Sequence, residues 1–127
     1  MFIKSENNIY FFTIESENNM EDYFLYIINL FKKKERVYLI YIFNDIDYDF
    51  ILKQYSFLNI YRLAFENYVI ASGILIENNR WYSKLLTESI NKVYDSMNTV
   101  VPNIITNNMS DICKHINFYK NINQEII

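Results

Sequence analysis

Three carboxylates, Asp45, Asp47 and Asp49, follow the longest clean apolar run of the chain, Val37 to Phe43. Oxygen ligands of this kind suit a hard cation such as Mg²⁺, and one carboxylate of such a set can accept a phosphoryl group. A simpler use competes. An Asp just before a helix caps it by accepting hydrogen bonds from the first free N–H groups. Capping by Asp45 or Asp47, with the other carboxylates in solvent, is the favoured reading, and it assigns no metal and no cofactor.

The other reactive side chains are few. Cys113 and His115 lie two apart on a predicted helix, so they point to different faces and cannot form a nucleophile–base pair. Cys113 reads as a small core residue, and His115 as a surface residue near the end of its helix. No Ser, His and Asp set has a local signature, so no catalytic residue is assigned and the chain is not read as an enzyme. Trp81, flanked by Arg80 and Tyr82, is the most conspicuous aromatic. These three residue types mark partner surfaces or a ligand pocket, although packing over the sheet edge is the commoner use of such a ring.

Composition narrows the field further. The 127 residues include one Gly, one Pro, one Cys, one His and one Trp, with twelve Tyr and ten Phe. A phosphate-cradling loop needs several glycines, and Gly73 stands alone. One Cys and one His cannot build a structural zinc site or a disulfide framework. Twelve Lys and Arg against fifteen Asp and Glu give a net charge of −3, the wrong sign for a duplex-binding surface. No apolar run approaches the roughly 20 residues of a membrane-spanning helix, and Met1 to Glu6 lacks the pattern of a signal peptide. The expectation is a cytoplasmic domain spanning residues 1–127, with its core between about 9 and 119. Twelve tyrosines exceed what one small core hides, so several phenols are expected at the surface or in a contact.

These side chains must be positioned by elements that alternate along the chain. Ile9 to Ile14 is β-branched and aromatic, a strand, with Phe2-Ile3-Lys4 pairing across the Ser5-to-Asn8 turn. Asn18 or Asn19 caps a helix with Glu21 and Asp22 in its first turn and Lys32 to Lys34 at its close. Val37 to Phe43, apolar on both sides, predicts a central strand covered on both faces. One helix then carries Phe50, Ile51, Phe57, Leu58, Tyr61 and Phe65 on a broad apolar band. Tyr68 to Ile76 reads as an interior strand, where Gly73 signals a close backbone approach or a bulge. Asn79 caps a helix bearing Tyr82, Leu85, Leu86, Ile90 and Val93. Thr99 to Thr106 is an edge strand with Pro102 near its start. Asn108 caps a short final helix with Met109, Ile112, Cys113 and Ile116 facing inward. The alternation predicts one α/β domain: a four- or five-stranded mixed, mainly parallel sheet with four helices.

The second half resembles a known family. Val69-Ile70-Ala71-Ser72-Gly73-Ile74-Leu75-Ile76 is followed by the amphipathic stretch Arg80 to about Tyr94 and the Pro102-led strand ending Ile104-Ile105-Thr106. Met109 to Ile116 closes the set. This order is similar to SpoIIAA-like, or STAS-type, domains. The resemblance implies helices packed mainly on one side of a mixed sheet, and action through protein–protein contact. In members similar to the sporulation anti-sigma-factor antagonist, a serine at the start of the helix after the central strand is phosphorylated. Here that place holds Asn44-Asp45-Ile46-Asp47, with no Ser or Thr before Ser56.

The first functional expectation is therefore a non-catalytic interaction or regulatory module with a protein partner or a second copy of itself. The alternative is a carrier of a small apolar ligand or lipid, in a Sec14-like pocket lined by Trp81, Tyr82 and the aromatics of the second helix. A receiver-like phosphoacceptor comes third. A receiver also needs an acidic pair after its first strand, which Glu15 and Glu17 imitate, and a lysine after its last, which Thr106-Asn107-Asn108 does not supply.

Overall fold

A hairpin opens the chain. In a computed structural model that describes residues 2–14, 20–43, 48–76, 88 and 101–125, β1 (Phe2–Glu6) pairs antiparallel with β2 (Ile9–Ile14). Asn7 and Asn8 turn the corner with φ of 48° and 62°. Two-residue hairpin loops that match strand twist need positive φ at both positions, and Asn takes that region at less cost than other side chains. Asn8 Nδ2 also donates to Arg36 O at 3.1 Å, and Asn8 O accepts from Tyr38 N at 3.0 Å. The turn thus fixes the start of the strand after next.

Helix α1 (Met20–Lys32) begins with Glu21 and Asp22 where the helix dipole favours anions, and ends on Lys32 where it favours cations. Lys34, at φ 58°, turns the chain out of the helix. The sheet continues through β3 (Val37–Phe43), β4 (Val69–Ile76) and β5 (Asn103–Thr106), in the order β1-β2-β3-β4-β5, with every pair after the first parallel. β3 is the middle strand and is buried at every position but Ile42, as its unbroken apolar run requires.

Two cores form, one on each face. Helices α1, α2 (Tyr48–Ile60) and α3 (Arg62–Tyr68) cover one face. Successive parallel strands joined by right-handed crossovers keep their connections on one side, and the aromatic core there holds Phe12, Tyr23, Tyr41, Phe57 and Phe65. Helix α4 (Met109–Glu125) follows the last strand and is no crossover, so it is free to take the opposite face. Ile112 and Ile116 pack there with Tyr38, Ile40, Ala71 and Leu75. No helix among the described residues is long and apolar enough to cross a membrane.

Several expectations need correction. The single helix expected after Asp47 is two, and the chain changes direction at Tyr61, whose φ is −102° and ψ 26°. A straight helix would hold residues eight apart about 12 Å along its axis. The bend brings the Phe57 and Phe65 rings to 5.8 Å, so that both enter one core. The last helix is not short but has 17 residues. Gly73 is approached by a side chain rather than by backbone, since a Cβ there would stand 3.0 Å from Ile112 Cγ2. The irregularity of register lies elsewhere, between Val37 and Tyr38. The Asn79 cap and its helix lie outside the described residues.

Asn108 does cap α4: its Oδ1 accepts from Ser110 N at 2.9 Å. Asn108→Ala should therefore lower stability by about 1 kcal/mol. Urea unfolding followed by circular dichroism measures this, and an unchanged midpoint would show that the cap contributes nothing.

Candidate interaction surface

The residues singled out for chemistry are distributed unevenly. Asp45, Asp47, Arg80, Trp81 and Tyr82 lie outside the described residues, as do Glu15 and Glu17. Asp49 is in the first turn of α2. Among the described residues, no three His, Cys, Asp or Glu side chains come together as metal ligands.

Cys113 is exposed, against the expectation of a core position. Among the described residues α4 is the one helix on that sheet face, and it buries a narrow stripe, here Ile112 and Ile116 one turn apart, with residue 113 rotated about 100° from Ile112. His115 is half-buried, and it sits in the first half of α4 rather than near its end. Its Nε2 lies 3.4 Å from Pro102 O, and its ring is edge-on to Tyr119 at 5.0 Å.

The polar groups around β5 hold that four-residue strand in place. Ser72 N donates to Pro102 O at 2.9 Å, and Ser72 Oγ donates to Asn103 Oδ1 at 2.8 Å. Thr106 Oγ1 donates to Asp111 Oδ2 at 3.1 Å and accepts from Asn108 N at 3.1 Å. A short edge strand has few ladder bonds, and these side-chain bonds tie it to β4 and α4.

Among the described residues the tyrosines divide between the core and its margin. Tyr23, Tyr38 and Tyr41 are buried, and Tyr10, Tyr26, Tyr55, Tyr61, Tyr68 and Tyr119 are half-buried. A sheet with a core on each face hides more rings than a single core does. Phe57 and Tyr61, expected to help line a pocket, instead stack into the helical layer, with Phe57 and Phe24 only 4.1 Å apart.

Among the described residues, the exposed large apolar side chains are mainly aliphatic. Ile60 is 74% and Leu63 73% accessible, on either side of the bend at Tyr61. Leu25 on α1 and Leu52 on α2 are also exposed, so four large apolar side chains of α1, α2 and α3 reach solvent. Lys53, Arg62, Glu66 and Asn67 are exposed on the same helices. On α4, Phe118 and Ile122 form a smaller exposed pair. The sequence reading missed Ile60 and Leu63. Their signal is the company they keep: apolar residues among the polar Asn59, Arg62, Glu66 and Asn67. Comparison with models of protein families, with curated proteins and with solved structures finds no match to this chain.

Proposed function

We propose that this protein is a non-catalytic interaction module that docks another protein on the outer side of its α1–α3 layer. The observation that carries the proposal is the pair Ile60 and Leu63, each nearly three-quarters exposed where α2 meets α3. Single exposed leucines are ordinary. Here two branched side chains flank one bend, Ile60 at the end of α2 and Leu63 at the start of α3, and covering each fully is worth about 1.5–3 kcal/mol. A partner that buries both gains a useful share of a binding energy. The resemblance to STAS-type domains supports the same reading, because that family acts through contacts. Five strands and three of four described helices on one sheet face agree with the architecture it implies.

The double variant Ile60→Lys, Leu63→Lys tests the proposal. The melting temperature should stay within a few degrees, since both side chains already face water. Capture of the partner from the native cell should fall at least tenfold, by about 1.4 kcal/mol or more. Undiminished capture would contradict the assignment.

A second reading, binding of a small apolar ligand, is favoured by Gln54. This side chain is 4% exposed, and its Oε1 accepts no hydrogen bond among the described residues. Apolar pockets use a few such polar groups to orient a guest. Native mass spectrometry of the freshly purified protein decides between the two, because a bound lipid would show as added mass.

A further inference from the structure

We infer that two copies of this chain associate through α1, lying antiparallel about a two-fold axis near the middle of that helix. The inference rests on the interaction reading only in using the same helical layer, and it does not require Ile60 or Leu63. A two-fold contact demands a patch complementary to its own reverse. The exposed side of α1 is such a patch. It carries Glu21 and Asp22 at one end, Leu25 and Asn29 in the middle, and Lys32 and Lys33 at the other. Leu25 is 58% exposed.

The spacing fits a reversed copy. Glu21 and Lys32 are separated by about 16 Å along the helix axis. Turning a second α1 end over end about the point midway between Leu25 and Asn29 sets its Lys32 beside Asp22 of the first, its Lys33 beside Glu21, and its Asn29 beside Leu25. The same pairing repeats across the axis, and the two helix dipoles oppose each other. A parallel arrangement would bring like charges together at both ends, which is unfavourable. The open sheet edge is a poorer contact, because β1 carries exposed Lys4 and Glu6, and charges on an edge strand discourage pairing. Two helices of 13 residues meeting along one stripe make a contact at the small end of specific interfaces. Association should therefore be weak and sensitive to salt.

Two charge-reversed proteins provide the test: one with Glu21→Lys and Asp22→Lys, the other with Lys32→Glu and Lys33→Glu. All four side chains are exposed, and matched melting curves establish that each variant folds. Sedimentation equilibrium should show a wild-type dimer that weakens as salt is raised from about 50 mM to about 500 mM. Each variant alone should associate about a hundredfold more weakly. An equimolar mixture of the two should recover a dimer near wild-type strength, because reversed ends then face reversed ends. A wild type that stays monomeric, variants that still dimerise alone, or a mixture that does not recover would each overturn the inference. The Ile60→Lys, Leu63→Lys protein separates the two assignments. It should dimerise normally, and loss of its dimer would place the self-contact on α2 and α3 instead.

Discussion

Phe57→Ala is expected to lower the unfolding free energy by about 3–5 kcal/mol. The reason is its position where α1, α2 and α3 meet. Its ring lies 4.1 Å from that of Phe24, 5.0 Å from Tyr61, 5.8 Å from Phe65 and 6.3 Å from Tyr23. The truncation removes a buried ring and leaves a void bounded by other stiff rings, which cannot collapse without leaving their own contacts. Phe57→Leu keeps most of the volume, and its cost should be under about 2 kcal/mol. Denaturant unfolding of the two variants measures the difference. A loss below 1 kcal/mol for Phe57→Ala would mean that the three helices are held together by something other than this cluster.

The opposite sheet face gives the second large effect. Ile112→Ala should cost about 2–5 kcal/mol, since Ile112 is fully buried and sits in the space that a side chain at position 73 would need. A Cβ on residue 73 would meet Ile112 Cγ2 at 3.0 Å, Ile112 Cγ1 at 3.4 Å and Ile104 Cγ2 at 3.6 Å. Gly73→Ala alone overpacks this seam and should cost about 1–3 kcal/mol. In the Ile112→Ala background the same change refills part of the cavity. The double variant should then be more stable than the sum of the two losses by at least about 1 kcal/mol. Simple additivity would show that Gly73 and Ile112 do not share that space.

These two sites also mark the reach of the sequence. The alternation of strands and helices was legible because each signal was local: the unbroken run of β3, the charges at the ends of α1, and Asn108 before α4. The bend at Tyr61 was not, because neither Gly nor Pro interrupts the band from Phe57 to Phe65. The break there follows from bringing two rings into one core, a tertiary demand. Cys113 was misplaced for a related reason. Met109, Ile112, Cys113 and Ile116 recur at helical spacing, yet α4 fully buries only the stripe of Ile112 and Ile116. The exposure of Ile60 and Leu63 was hidden because an apolar residue in a sequence reads first as core. The acidic run at Asp45 and Asp47 and the group Arg80, Trp81 and Tyr82 lie outside the described residues, so their expected roles rest on sequence alone.

The claim on which the functional account turns is that the outer side of the α1–α3 layer is the contact surface. Site-specific photo-crosslinking in the native cell examines it most directly, with the reactive group carried at Leu63 in one protein, at Leu25 in a second and at Cys113 in a third. Cys113 is exposed on α4, on the far side of the sheet, and serves as the comparison. The account predicts discrete adducts from Leu63 and Leu25 and none from Cys113. Adducts from Cys113 alone, or equal adducts from all three positions, would contradict it.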